Sequence, residues 1–257
     1  MTVTPKRSLG QNFLVDENIL GVIGNLADLA ESDVVLEVGP GLGILTRYLA
    51  DRVELVHAIE LDRSLEVPLA GTIAGRTNVR VIFGDALALD LASLEPPPVK
   101  LVANLPYNIA TPLVVETLER VPSLERWCVM VQREVADRFF AAPRSKAYGA
   151  VSVLVQLAAW KVGFRPVPRT VFRPRPRVES ALVAFVRVPG PALADVRPLV
   201  EAAFAHRRKL LANSVALTGL ASRERVEEAL GSIGRAHNAR AEELAPAEFV
   251  DLARALQ

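Results

Sequence analysis

Val34-Val35-Leu36-Glu37-Val38-Gly39-Pro40-Gly41-Leu42-Gly43 is the stretch whose reading decides the fold. An apolar, β-branched run opens into a glycine-rich loop, and Ile44 to Ala50 then reads as a helix. Strand, glycine loop and helix in that order place backbone N–H groups and a close-approach surface beside a bound cofactor. The spacing is Gly-x-Gly-x-Gly rather than the dinucleotide Gly-x-Gly-x-x-Gly. Val53 to Ile59 is a second strand ending at Glu60, about twenty residues past the glycines, where a nucleotide fold carries its ribose-binding carboxylate.

Outward from this core, Asn78 to Phe83 is a third strand, followed by Gly84-Asp85-Ala86-Leu87. Asp85 is placed either to bond an adenine amino group or to cap a turn. Lys100 to Ala103 is a fourth strand and Trp127 to Gln132 a fifth. Val162 to Val167 and Ala181 to Val188 are expected as an antiparallel pair at the sheet edge. Asp16 can cap a helix with apolar positions Ile19, Leu20, Ile23, Leu26 and Leu29. Ile109 to Arg120, Arg133 to Phe140 and Gly149 to Trp160 also read as helices. Strands alternating with helices mean an α/β domain with a seven-stranded, mostly parallel sheet. Pro189-Gly190-Pro191 is a linker signal. Beyond it Leu193–Asn213, Glu224–Leu230 and Pro246–Leu256 read as helices with no strand between them. The expected division is 1–188 for the α/β domain and 189–257 for a small all-helical domain.

At the exit of the fourth strand stands Asn104-Leu105-Pro106-Tyr107. Asn and Pro are turn residues in their own right. The same four also suit chemistry on a planar amino group. The Asn carbonyl oxygen and a backbone carbonyl held by the proline can accept two amino hydrogens, and the Tyr ring can stack on the base. In open α/β sheets ligands bind outside the carboxyl ends of the strands.

With 257 residues, 51 % of them hydrophobic, the chain can bury a sizeable core. No apolar run reaches the length of a membrane span, and Met1–Arg7 lacks the apolar core of a signal peptide. The single cysteine, Cys128, excludes an internal disulfide and fits a reducing cytoplasm. His57, His206 and His237 offer no metal-ligand spacing. The net charge of +1 is unevenly spread. Lys161, Arg165, Arg169, Arg173, Arg175 and Arg177 face only Glu179 in their stretch, and His206-Arg207-Arg208-Lys209 is a second basic cluster. In Phe172-Arg-Pro-Arg-Pro-Arg-Val-Glu-Ser180 the alternating prolines force an extended connection. It is either a structural strap or an aromatic and basic wall presented to a substrate.

Taken together, Gly10-Gln-Asn-Phe-Leu14, Glu37-Val-Gly-Pro-Gly-Leu-Gly43, Glu60, Gly84-Asp-Ala-Leu87, Asn104-Leu-Pro-Tyr-Asn-Ile109, Val131-Gln-Arg-Glu-Val-Ala-Asp-Arg138, Phe172-x-Pro-x-Pro-x-Val-x-Ser180 and Arg207-Arg-Lys-Leu-Leu-x-Asn213 resemble the ribosomal RNA adenine dimethylases of the KsgA (RsmA) type. The resemblance implies a class I, Rossmann-like methyltransferase fold using S-adenosylmethionine (SAM) and no metal. Carried over by position, Asn12 and Leu14 hold the methionine side of the cofactor, with Gly39 and Gly41 contacting it from the glycine loop. Glu60 takes the ribose hydroxyls, Asp85 the adenine amine, and Asn104 touches both cofactor and target. Asn104, Pro106, Tyr107 and Phe172 become the catalytic set, with Tyr107 and Phe172 on the two faces of an adenine taken out of its stack. The family dimethylates N6 of two adjacent adenosines near the 3′ end of small-subunit (16S) ribosomal RNA. Its implied partner is that RNA within an immature small subunit, met by a monomeric cytoplasmic enzyme. Arg173, Arg175, Arg177, Arg207, Arg208 and Lys209 are expected to bind phosphates. Ser8-Leu9 stands where the family often has Arg-Phe or Lys-Phe, and Ala110 where Ser is common. Rival readings are a large-subunit (23S) dimethylase of the macrolide-resistance type, a DNA adenine methylase, and an rRNA-binding assembly factor with secondary catalysis.

Overall fold

A computed structural model describes Pro5, Lys6 and residues 9–257. The readings made on Met1–Thr4, Arg7 and Ser8 lie outside the described residues. The elements in chain order are β1 (Phe13–Leu14), α1 (Asn18–Ala27), β2 (Val34–Val38), α2 (Ile44–Ala50), β3 (Leu55–Glu60), α3 (Glu66–Thr72), β4 (Val79–Phe83), β5 (Lys100–Asn104), α4 (Ala110–Arg120), β6 (Arg126–Gln132), α5 (Arg133–Phe139), α6 (Ala150–Ala158), β7 (Ala159–Val167), β8 (Phe172–Arg173), β9 (Ser180–Arg187), α7 (Leu193–Phe204), α8 (Leu211–Thr218), α9 (Arg223–Ser232) and α10 (Pro246–Ala255).

The chain packs as two compact units. The first holds the described residues through Ala136 together with Lys161–Arg187. Its main sheet has seven strands in the order β4-β3-β2-β5-β6-β9-β7, the last two being the expected edge strands. β2 pairs in parallel with β3 and β5, as do β3 with β4 and β5 with β6, and β9 runs antiparallel to β6. Every residue of β2 is buried, Glu37 included, as befits a central, largely apolar parallel strand covered on both faces. α1 covers part of the sheet through Ile19, Leu20, Ile23 and Ala27, and the Asp16 carboxylate accepts the Asn18 N–H at 2.8 Å at its start. β2 has β3 on one side and β5 on the other, so the strand order reverses there. Such a switch point leaves a crevice beyond the carboxyl ends of the two strands.

The second unit comprises Asp137–Trp160 and Val188–Gln257, so the division differs from one at residue 188. The reason is α6: in its sequence AVSVLVQLA only Ser152 and Gln156 are polar, and it packs against α7 and α10. Tyr148, fully buried, donates to the Leu244 carbonyl at 2.8 Å and meets Phe204 edge-on, and Phe204 leans on Phe249. The single helix expected over Leu193–Asn213 is instead α7 and α8. His206–Lys209, four exposed polar residues with no apolar side to bury, make the break, and Ser214 Oγ accepts the His206 N–H at 3.1 Å. Pro246 opens α10 as expected, with Phe249, Leu252 and Ala253 buried. No described helix is long and apolar enough to cross a membrane.

Candidate active site

The crevice at the switch point is lined by the glycine loop, the segment Leu9–Leu14, Glu60 and Leu61, Gly84–Ala86 and Asn104–Ile109, and its cavity measures ≈ 220 Å³. β3 and β5 each end on a polar residue, Glu60 and Asn104, while β2 leads into the glycine loop and β4 is followed by Asp85. β2 leads into Gly39 and Gly41, whose φ angles of 77° and 59° lie in the left-handed region that glycine tolerates. A Cβ on Gly39 would stand 3.2 Å from the Pro106 ring, and one on Gly41 would stand 3.0 Å from Phe13. The loop is therefore pressed between the Asn104 stretch and the N-terminal segment, with room for a ligand only because side chains are absent.

β3 delivers Glu60, 6 % exposed. Its Oε2 accepts the Gly41 N–H at 3.0 Å and its Oε1 the Asp62 N–H at 2.8 Å. Burial pushes its carboxyl above the ordinary value, and those N–H donors work against the rise. The carboxylate is thus held in place with lone pairs left for hydroxyl donors. Asp85, exposed beyond β4, also lines the cleft, and its Oδ1 accepts the Leu87 N–H at 2.9 Å. The turn reading is met by that bond, and the residue also lines the crevice.

β5 ends at Asn104, half-buried in the cleft. Its Nδ2 donates to the Asn12 carbonyl at 3.1 Å. With the amide nitrogen so committed, Oδ1 is the end left to accept. The Leu105 N–H is tied to the Met130 carbonyl at 3.0 Å, and the Pro106 carbonyl accepts the Ile109 and Ala110 N–H groups, each at 3.1 Å. Pro106's own carbonyl is therefore turned into the start of α4. The carbonyl immobilised by the proline ring is that of Leu105. The Tyr107 hydroxyl meets Ser180 Oγ at 2.6 Å, so the ring is pinned from the start of β9, and burial pushes its pKa up.

Phe172 is not on the cleft. It is 2 % exposed and belongs to the apolar core with Leu14, Ile19, Leu20, Val171 and Leu182. The reason is β8, which pairs antiparallel with β1, setting Phe13 against Arg173 and Leu14 against Phe172. The strap anchors the N-terminal segment instead of walling the crevice with its aromatic ring. Asn12, Leu14, Gly39, Gly41, Glu60, Asp85, Asn104, Pro106 and Tyr107 are brought together. Arg173, Arg175 and Arg177 are exposed on the strap; Arg207, Arg208 and Lys209 are exposed in the second unit. There Arg207 donates to the Tyr148 and Lys146 carbonyls.

Two acidic residues of this region had no role assigned from sequence. Glu37, in the middle of the deciding stretch, is 1 % exposed and lines the cleft. Its Oε2 and the nearby Thr46 Oγ1 lack hydrogen-bond partners among the described residues. Burial pushes the Glu37 carboxyl up to about 8; Thr46 opposes the rise and the Glu60 charge adds to it. A carboxylate inside an otherwise apolar buried strand was the signal available for it. Asp62 is the other residue.

A glycine cradle, a fixed carboxylate beside it and a buried acid lining the same cleft fit a nucleoside carrying a cationic tail. The family model of ribosomal RNA adenine dimethylases matches residues 3–257. The chain is 51 % identical over 256 residues to the ribosomal RNA small subunit methyltransferase A of Rubrobacter xylanophilus, covering 98 % of this chain and 95 % of that protein. A dimethyladenosine transferase from Plasmodium falciparum superposes with a TM-score of 0.77 at 24 % identity, over 93 % of this chain and 95 % of the other. The 23S rRNA methyltransferase ErmE superposes with a TM-score of 0.65 at 30 % identity, over 95 % and 99 %.

Proposed function

This chain belongs to the ribosomal RNA adenine dimethylase family, and from that premise we propose that it dimethylates N6 of two adjacent adenosines near the 3′ end of small-subunit ribosomal RNA. The substrate is the RNA of an immature small subunit, and the methyl donor is SAM. Glu60 takes the ribose hydroxyls, Asp85 the adenine amine, Gly39 and Gly41 the close approach of the cofactor, and Asn12 and Leu14 its methionine side. Bound there, SAM supplies a methyl group already activated by its sulfonium.

What the protein adds is the placing of a weak nucleophile. An adenine amine has its lone pair delocalised into the ring. Asn104 Oδ1 and the Leu105 carbonyl accept its two hydrogens, which favours a pyramidal nitrogen and the positive charge that develops on it. Tyr107, pinned by Ser180, stacks on a base drawn out of its helix. After one transfer a single hydrogen remains, so the base turns before the second.

The observation that carries this reading is the bond from Asn104 Nδ2 to the Asn12 carbonyl. It leaves Oδ1 as the free end of the amide, which supports reading that oxygen as the amine acceptor beside the segment that carries Asn12. Asn104→Ala is expected to abolish transfer of labelled methyl from SAM to unmethylated small subunits while leaving the circular dichroism spectrum intact. Removing one oriented acceptor takes away on the order of 2 to 4 kcal/mol of transition-state stabilisation. Near-normal turnover would remove Asn104 from the mechanism. The likeness to ErmE supports a second reading, methylation of large-subunit RNA. Mapping dimethyladenosine after reaction with each subunit separates the two.

A further inference from the structure

Asp62 lies two residues past Glu60 and does not line the cleft, yet its buried carboxylate gathers more partners than any site residue. It is 5 % exposed. Oδ1 accepts from Lys6 Nζ at 2.6 Å, from Ser64 Oγ at 2.6 Å and from the Ser64 N–H at 3.0 Å. Oδ2 accepts from Gln11 Nε2 at 2.8 Å. Burial alone would raise this carboxyl, but the hydrogen bonds from Lys6, Ser64 and Gln11 outweigh it and hold it well below the usual carboxylate range. Lys6 and Gln11 are themselves joined: the Lys6 N–H donates to Gln11 Oε1 at 2.7 Å, and the Lys6 carbonyl accepts from Gln11 N–H at 3.4 Å.

These partners belong to the segment that crosses the crevice. At its other end that segment is fastened by the β1–β8 pairing, by the Val15 N–H to the Val171 carbonyl at 2.9 Å and by the buried Phe13 and Leu14 side chains. Between the two anchors stand Asn12, whose carbonyl takes the Asn104 amide, and Gly10, whose carbonyl takes the Asn12 amide at 3.0 Å. Asp62 also donates its N–H to Glu60 Oε1. One residue is thus bonded both to the carboxylate at the ribose position and to the segment at the methionine position.

We propose that Asp62 is a positioning residue that fastens the segment carrying Asn12 and Leu14 across the cleft, and so sets the affinity for the amino-acid tail of the cofactor. The proposal rests on the cofactor assignment made above. It separates two halves of one ligand: Glu60, on the nucleoside side, meets Asp62 only through the backbone N–H, which Asp62→Asn keeps, whereas the segment on the tail side is fastened by the Asp62 side chain.

S-adenosylhomocysteine and 5′-methylthioadenosine share the nucleoside and differ in that tail. Both are titrated calorimetrically into the wild-type protein, Asp62→Asn and Lys6→Met. Asp62→Asn is expected to weaken S-adenosylhomocysteine by roughly tenfold or more while 5′-methylthioadenosine changes by less than about twofold. Lys6→Met, which leaves the turn after β3 untouched, is expected to shift the same ratio in the same direction by less. Hydrogen exchange at the amides of residues 10–12 should quicken in both variants. Equal weakening of the two ligands, or none in either variant, overturns the proposal. A wild-type protein that binds neither ligand overturns the cofactor assignment and the proposal with it, and the wild-type titration alone reveals that.

Discussion

Glu37 is a carboxyl that keeps its proton where Glu60, one strand away, is supplied with N–H donors. In the folded chain it titrates near 8, against an ordinary value of 4.5. Between those values the folded state holds a proton that the unfolded state has released. Stability therefore falls as pH rises from 4.5 towards 8 and levels off beyond, by an amount on the order of a few kcal/mol. Glu37→Gln, which copies the protonated form, is expected to flatten that slope. Urea unfolding of both proteins at several values between about pH 5 and about pH 8 measures it; parallel curves for the two would show that Glu37 is not the titrating group. The residue scale is also where the sequence was most and least informative. Glu60 and Asn104 were legible because each is the polar residue that ends an apolar strand, and strand exits are where open sheets bind ligands. Asp62 was silent because its partners Lys6 and Gln11 stand 56 and 51 positions away in the chain. No local pattern encodes a bond of that reach.

At the scale of elements, the strap between β7 and β9 shows how a rigid segment acts through its ends. Its prolines keep it out of helix, as its sequence required; only Phe172–Arg173 is strand, with bends before β9, and a strand still has two ways to face. The β1–β8 pairing turned Phe172 into the core, and nothing in the motif specified that register. The far end of the strap supplies Ser180, fully buried, whose hydroxyl pins Tyr107. Ser180→Ala should leave the part-buried tyrosine hydroxyl without its partner, costing about 1 to 3 kcal/mol of stability. It should also slow methyl transfer by freeing the ring. In a Tyr107→Phe background the same substitution has no hydroxyl to release, so its further effect on rate should vanish. A double-mutant cycle on turnover measures the coupling, and additive losses would show that Ser180 acts elsewhere. The helix α6 teaches the complementary lesson: an element with only Ser152 and Gln156 polar gives little sign of which neighbours will bury it.

At the scale of the whole molecule, a net charge of +1 conceals the distribution that matters for a polyanionic substrate. Arg173, Arg175 and Arg177 are exposed at alternate positions of the strap, on an element that is bonded back to the N-terminal segment through Arg173 and Phe172. Arg207 is exposed too, but its guanidinium is engaged by the Tyr148 and Lys146 carbonyls and approaches Glu242 at 3.8 Å. The two groups should therefore respond differently. Replacing Arg173, Arg175 and Arg177 by Gln should weaken binding of unmethylated small subunits and lower the slope of log K against log salt by roughly one for each phosphate left without its arginine. The folding transition should be unchanged, because their heads stand in solvent. Arg207→Gln should instead lower the thermal midpoint, since it leaves the Tyr148 carbonyl short of a donor. Its effect on the salt slope should not exceed that of a single phosphate. Filter binding over a salt series, paired with thermal unfolding of the same samples, reads both quantities. A salt slope unmoved by the triple replacement would assign the strap arginines to solvent alone and shift RNA recognition to other faces of the molecule.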